Sequence, residues 1–475
     1  MQDVEDQTPL ATPPHGAEAE APIFRDEEGE LNPAFVAAVT QAIEASDSEG
    51  LRKLVEDFHE SDLGDLIEAL EPEDRPRVIE LLGSAFDFTA LTEVDDSVRE
   101  EILEELETQT VVEGMRALDS DDAVVILESL DEEDKAEVLE QLPAMERVAL
   151  QRTLDYPEDS AGRRMQTEFI AVPPFWTVGQ TIDFMRETTD LPDTFYEIFV
   201  IDPSGHLLGA VALDRLLRSK RPVTIQEIMD DEPDRVEATE HQEEVARMFE
   251  RYNLVSAAVV DEENRLVGAI MVDDIVDVLE EEADADIKAL GGVNSEEELS
   301  DTVLYTQRSR FPWLFANMCT ALIAANVIRL FETSLEHMVA LAILMPIVAS
   351  MGGNAGTQTM TVAVRALATR ELGRANAWRI IRREAMVGIL NGLAFAVIMG
   401  VIAAAWFQMA QLGLVIGMAL VTVLLFAALG GILVPLALNK LGVDPAVSSG
   451  PFVTSITDIV GFFAFLGIAT FWFRL

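Results

Sequence analysis

Apolar residues fall along this chain with three different periods, and each period predicts a different element. In residues 31–154 leucine, isoleucine and valine recur at i, i+3 and i+4, the spacing of one buried stripe on a helix. The run Leu-Glu-Pro-Glu-Asp-Arg…Val-Ile-Glu-Leu-Leu at 70–82 returns as Leu-Asp-Glu-Glu-Asp-Lys…Val-Leu-Glu-Gln-Leu at 130–142, with a looser copy starting at Val94. Acid at each start complements the helix dipole, and the repetition predicts a small superhelix of short helices. In a second region the run 199–211 matches 258–270 at an offset of 59 residues. Each copy reads as a strand, a polar turn, a second strand and a helix (213–217; 273–280), preceded by an amphipathic helix (178–186; 243–252). Two β-α-β-β-α units in tandem predict one pseudo-symmetric module. Residues 275–290 and then 295–307 read as an acidic helical connection. Beyond residue 310 come five apolar stretches long enough to cross a bilayer, at about 311–330, 339–364, 385–407, 412–438 and 446–473.

The expected architecture is therefore multi-domain. An α-helical N-terminal superhelical domain (31–160) precedes an α/β repeat pair (161–225 and 226–285), a connecting helix (286–310) and an all-α domain of five spans (311–475). The opening residues 1–30 are acidic and rich in proline and alanine without an apolar core, so they read as a disordered tail rather than a secretory leader.

Charge sharpens this division. The formal charge is −52, yet from Arg308 onward there are six acids and eleven Lys/Arg, net +5, which leaves the first 307 residues with 79 acids and 22 bases, net −57. Such a half repels nucleic acid and attracts cations. The loop between spans two and three carries arginines 365, 370, 374, 379, 382 and 383, whereas the loops after spans one and three carry no Lys or Arg. Arg308 and Arg310 before span one and Lys440 after span four agree with that bias. The positive-inside tendency then places the acidic half and the arginine loop in the cytoplasm and the C-terminus outside, in an inner or plasma membrane. Cys319, the single cysteine, lies in the first span, so no intrachain disulfide exists and a reducing compartment fits.

Asp458 is the one ionisable side chain of span five. About 20 Å of helix separates it from Trp472, which puts the carboxylate near mid-depth of a core about 30 Å thick. A carboxylate there is expensive to insert and normally faces a partner, a cavity or an ion path. Asp444-Pro445 at the head of the same span reads as an N-cap and a first-turn proline. Pro346, Pro435 and Pro451 free carbonyls within spans. Gly352-Gly353-Asn354-Ala355-Gly356 is expected to break span two, and serves equally as a helix-packing or a polar-lining motif. No G-x-x-x-x-G-K-[ST] loop exists, which argues against an ATP-driven pump, and neither the five histidines nor any nucleophile–base set suggests an enzyme.

The order of these parts, together with four motifs, resembles the MgtE family of magnesium channels over residues 31 to 475. The motifs are Tyr156-Pro-Glu-Asp-Ser-Ala-Gly, Pro346…Met351-Gly-Gly-Asn-Ala-Gly-Thr-Gln, Leu441-Gly-Val-Asp-Pro-Ala and Thr457-Asp458. The resemblance implies that the repeats are CBS domains and that the protein is a homodimer with its pore between the two membrane domains. It further implies a gate closed by cations bound among the acidic domains. It places Asp458 at the pore cation, with Thr454 and Gly450 lining the same site, and Asp121, Glu243, Asp274, Asp277, Glu282 and Asp286 at or beside sensing positions. The chain departs from the family at Gly450, where asparagine is common, and at Thr89, Val125, His241 and Asn253, which stand where sensor acids are found. CBS domains often bind adenosine nucleotides through Gly-h-h-Ser/Thr-x-x-Asp. Both copies here, from Gly209 and from Gly268, lack the Ser/Thr, and only the second keeps the aspartate, Asp274. The implied function is passive magnesium influx, with other divalent cations as further cargo. A proton- or sodium-coupled carrier and a non-transporting cation sensor are its rivals.

Overall fold

The computed structural model describes residues 23–26, 29–189, 191–192, 194–295, 297, 302–373 and 375–474, so most of the expected tail lies outside the described residues. The chain divides into two compact units, Met1–Val278 and Leu279–Leu475.

The first unit opens with nine short α-helices: α1 (Pro33–Glu44), α2 (Ser48–Val55), α3 (Glu60–Ala69), α4 (Arg75–Leu82), α5 (Asp96–Glu105), α6 (Thr108–Met115), α7 (Ser120–Glu128), α8 (Glu132–Gln141) and α9 (Ala144–Leu154). Their leucine stripes meet in one apolar core that runs from Phe35 through Leu66, Ile102 and Leu127 to Leu150. Acids at the helix starts cap them. The Asp47 carboxylate accepts from Gly50 N at 2.9 Å, and that of Asp131 from Glu133 N and Asp134 N, both at 2.9 Å. Asparagine and aspartate caps of this kind are worth about 1 kcal/mol each, which matters for helices of two to three turns.

The repeats follow as two three-stranded sheets of identical connectivity. The first holds β1 (Ala171–Val172), α10 (Val178–Glu187), β2 (Glu197–Ile201), β3 (Leu207–Ala212) and α11 (Leu213–Arg218). A short α12 (Ile225–Ile228) leads to β4 (Arg235–Glu237), α13 (Gln242–Tyr252), β5 (Ser256–Val260), β6 (Leu266–Met271) and α14 (Val272–Gly291). In each sheet the first pairing is parallel and the second antiparallel. A register shift falls between Val200 and Ile201 in one sheet and between Val259 and Val260 in the other, the same 59-residue offset. The symmetry extends to the joint between repeats, where Leu207 N donates to Asn264 O and Leu266 N to Gly205 O, both at 3.0 Å. Residues 160–166, at the head of the first repeat, lie against the second: Ala161 N donates to Glu240 O at 2.8 Å, and Gly162 N to Ala238 O at 2.7 Å. A Cβ on Gly162 would stand 2.6 Å from the Tyr156 ring, so this motif is a packed joint between the helical domain and the repeats.

Among the described residues of the second unit, five helices are long and apolar enough to cross a membrane: α15 (Val303–Arg329), α17 (Val339–Ala368), α18 (Ala377–Phe407), α19 (Ala410–Lys440) and α20 (Pro445–Phe473), with α16 (Glu332–His337) as a short link. α19, whose one charge is Lys440 at its end, is the most buried and packs against α17, α18 and α20. Two expectations fail here. Span two is not broken: α17 runs continuously through the glycines, two of which, Gly352 and Gly356, pack against neighbouring helices. Nor is 295–307 one helix. Gly292 takes φ +73° after the end of α14, and neither residue 297 nor residue 302 is helical, the described helix that follows starting at Val303.

Glycine also sets the α18–α19 seam. A Cβ on Gly413 would lie 2.3 Å from Gly400 O, and one on Gly392 2.7 Å from Val421 Cα. With no hydrophobic effect to join helices in lipid, such close backbone approach supplies the contact. Gly413→Leu is expected to destabilise the membrane unit by about 3 kcal/mol or more, as overpacking against backbone does. Thermal unfolding in detergent checks this, and Met418→Leu on the same helix, at an exposed position, is the neutral control.

Candidate functional site

α20 presents two unlike faces. Asp444 caps it, accepting from Ala446 N at 2.8 Å, with Pro445 in the first turn. Val453, Thr457, Phe465 and Ala469 are buried against the other helices. On the other side Gly450, Thr454 and Asp458 follow one another at i, i+4 and i+8, a single stripe. A Cβ on Gly450 would meet nothing within 4 Å, and Thr454 is exposed, its hydroxyl returned to Gly450 O at 3.0 Å. Asp458 is half-buried and, among the described residues, makes no hydrogen bond and no ion pair. The three residues expected at the pore therefore do share one open face.

A second polar face lies on α17, and the sequence reading touches it only at the motif that contains Asn354. On α17, Ser350, Asn354, Thr357, Gln358 and Thr361 are all exposed. At about 100° per residue they fall within one quarter or so of the helix circumference. Gly352 and Gly356 lie on the opposite side, where their added Cβ atoms would meet Val423 at 2.7 Å and Val453 at 2.9 Å. In the Gly-Gly-Asn-Ala-Gly motif Gly352 and Gly356 thus pack inward, the helix-packing role, and Asn354 is exposed on the other side. The i, i+4, i+7 spacing of Asn354, Gln358 and Thr361 was the available signal.

The end of α14 belongs to this unit too. Ala289 and Leu290 join Met360 and Val364 of α17 and Ala446 and Val453 of α20 in one apolar cluster. The tip of the connecting helix therefore rests on the helix that carries Asp458 and on the one that carries Asn354.

The acidic positions are arranged less uniformly. Asp121, at the start of α7, is buried, and its carboxyl meets that of Asp274 on α14, which also accepts from Met271 N at 3.3 Å. Burial, and then the neighbouring carboxylates, raise Asp121 to about 6 and hold Asp274 well above the usual carboxylate range. Asp122, absent from the expected set, is pushed up to about 8 by burial and by Asp121, Asp119, Glu93 and Asp87. Glu243 instead pairs with Arg247 on its own helix. Asp277 lies one turn after Asp274 on α14, and Glu282 and Asp286 follow in the second unit. Among the described residues no three His, Cys, Asp or Glu side chains converge on one point where a metal ion could sit. Two of the departures have structural roles: His241 caps α13 by accepting from Glu243 N at 3.3 Å, and Asn253 ends it at φ +53°. As for nucleotide binding, Asp274 turns to Asp121, and it does not line the cavity of about 300 Å3 formed on the second repeat by Tyr156, Thr239, Asp261 and Arg265 among others.

Carboxyls raised in this way bind more protons folded than unfolded, so stability falls as pH rises from the unfolded value near 4 through about 6 and 8. The protein freed of divalent cations should melt at a higher temperature at pH 5.5 than at pH 8. Asp122→Asn should flatten that difference, and a scanning fluorimetry series reads it directly.

Comparison with known proteins matches three family models to separate stretches: an MgtE intracellular N domain at 58–159, a CBS domain at 225–281 and a divalent cation transporter, MgtE, at 345–468. The magnesium transporter MgtE of Thermus thermophilus is 36% identical over 327 residues, 68% of this chain and 72% of that protein. The chain belongs to the MgtE family. The MgtE of Bacillus subtilis is 34% identical over 327 residues, 69% of this chain and 72% of its own length. Among solved structures, the cytosolic domain of the Mg2+ channel MgtE in complex with ATP is 31% identical, with a TM-score of 0.48 over 51% of this chain and 99% of that one. As a member of the MgtE family with five candidate spans, the protein is a membrane protein built from a helical N domain, a CBS pair and an all-helical membrane unit.

Proposed function

We propose that this MgtE chain is a dimeric magnesium channel, closed from the cytoplasm by divalent cations bound among its acidic residues. The observation that carries the reading is Asp458: a half-buried carboxylate inside a membrane span, without a hydrogen-bond or ion-pair partner among the described residues, on an open stripe with Thr454 and Gly450. A charge so placed needs compensation, and two copies facing each other would neutralise one divalent ion. Mg2+ gives up its water reluctantly, so a site with a glycine at one level and a threonine hydroxyl at the next suits a hydrated ion held by outer-shell contacts. Influx needs no chemical fuel: the membrane potential supplies about 2.3 kcal/mol per charge per 100 mV, about twice that for a divalent ion.

Gating rests on the acidic half. Asp121 and Asp274 meet where the helical domain abuts the CBS pair, and a divalent cation there would replace the protons that this pairing otherwise holds. Asp277, Glu282 and Asp286 line the same helix further on, and Glu243 lies at the head of α13. α14 starts beside Asp274 and ends on α17 and α20, so it is the element through which closure would pass. The arginine loop between α17 and α18 supports a cytoplasmic acidic half and an external C-terminus.

Magnesium uptake into liposomes holding only this protein, with and without internal magnesium, tests the whole reading. Uptake that internal magnesium suppresses is expected. No uptake would leave a sensor, and a reversal potential that moves with pH or sodium would make the protein a coupled carrier.

A further inference from the structure

A cavity of about 470 Å3 opens in the membrane unit at the arginine end of the spans, between the last turns of α17, the loop after it, the first turns of α18 and Ile432 of α19. Its walls are of two kinds. Val362, Ala363, Ile380 and Ile432 form an apolar side that continues into the spans, and Arg379 and Arg383, one turn apart, stand where the charged loop begins. Two carboxylates also line it. Glu384 lies 3.9 Å from Arg383, a loose pair that leaves the arginine largely exposed, and Glu371 stands at the loop. Arg379 and the adjacent Arg382 are exposed and, among the described residues, make no ion pair or side-chain hydrogen bond. Across 365–384 the sequence has six arginines against two glutamates, net +4, so the local field is positive despite the acid in the lining. Trp378, 70% exposed beside Arg379, is the residue type that settles at headgroup depth.

We propose that this cavity is a binding site for an anionic glycerophospholipid: Arg379 and Arg383 hold the phosphodiester, and the apolar wall takes the first part of an acyl chain. Basic pockets between spans at headgroup level bind such lipids, and arginine suits phosphate because it offers a planar fork of donors. The inference rests on the membrane reading of the five helices, not on which ion the protein conducts.

Native mass spectrometry of the full-length protein in mixed micelles with phosphatidylglycerol and phosphatidylethanolamine tests it without any flux measurement. Wild type should retain phosphatidylglycerol in preference. Arg379→Gln with Arg383→Gln should lose about tenfold of that affinity, the effect of about 1.4 kcal/mol. Arg308→Gln with Lys440→Gln, which removes the same charge outside the cavity, should lose none. Val362→Trp fills the cavity from an exposed position and should also expel the lipid, with every arginine in place. Equal retention of both lipids, unchanged binding in Val362→Trp, or displacement of phosphatidylglycerol by millimolar inorganic phosphate alone would each overturn the proposal. Because retention is read on the protein itself, these results leave the channel reading untouched either way.

Discussion

Asp458→Ala should abolish magnesium uptake while leaving a folded, membrane-inserted protein. The carboxylate has no hydrogen bond or ion pair among the described residues, so its removal breaks no contact that holds α20 in place. The buried side of α20, with Val453, Thr457 and Phe465, is untouched. Insertion should become easier, since an aspartate at the centre of a span costs about 2.5–3.5 kcal/mol and alanine does not. What is lost is the charge that compensates a divalent ion in low dielectric. If each of two facing carboxylates contributes even about 1.5 kcal/mol, the barrier rises by about 3 kcal/mol and flux falls at least about a hundredfold. Uptake measured on the purified variant, with thermal unfolding as the check on folding, decides the matter. Flux equal to wild type in a protein that melts at the wild-type temperature removes Asp458 from the path. Gly450→Asn is the companion experiment. It adds an amide to an open position where no neighbour stands within 4 Å, so it should be tolerated and should change discrimination among divalent cations more than rate.

What the sequence disclosed, and what it did not, divides by the range of the interactions. Periodicity and self-similarity read the helix stripes, the succession of strands and helices and the 59-residue repeat, because each is a pattern of residue types along the chain and needs no tertiary partner. The motif glycines of α17 are visible in the sequence, and helix packing is one of the two roles read for them, but their partners are not visible. A break was expected where Gly352 and Gly356 instead let α19 and α20 approach, since the partner atoms, Val423 and Val453, lie some seventy to a hundred residues away. The reach of residues 160–166 across to the second repeat is of the same kind: Ala161 and Gly162 bond to Glu240 and Ala238, which no local pattern announces. Asp122 was passed over because, in sequence, it is one more acid on a helix start. It becomes unusual only when folding buries it among Asp121, Asp119, Glu93 and Asp87. Glu243, a sensing position by resemblance, is paired with Arg247, four residues on, a contact that the i, i+4 spacing already allows. Asp458 was the easiest to read, because a lone charge in an apolar run is costly wherever the chain folds.

Removing residues 1–290 should leave a membrane unit that still conducts magnesium but no longer closes when internal magnesium rises. The second unit has its own core, from Leu341 and Leu344 of α17 through α19 to Phe465 and Leu466 of α20, and that core uses no residue of the acidic half. The truncation does remove Ala289 and Leu290, which pack on Met360 and Val364 of α17 and Ala446 and Val453 of α20. It also removes nearly all of the acidic half, 75 acids and 22 Lys/Arg, net −53. With the cation-binding half and the tip of α14 both gone, nothing would couple internal magnesium to the helices that carry Asp458 and Asn354. A point variant separates the two losses. Leu290→Lys keeps every acid but places a charge in that apolar cluster, at a cost of a few kcal/mol if the tip stays docked. The tip should therefore leave, and the full-length variant should conduct at magnesium concentrations that close the wild type. Uptake compared across the wild type, the truncation and Leu290→Lys, each over a range of internal magnesium, gives the answer. If the truncated protein still closes at the wild-type concentration, gating lies within the membrane unit and the acidic half has another task. If the truncation stays open but Leu290→Lys closes normally, the acidic half acts on the spans by a route other than the tip of α14.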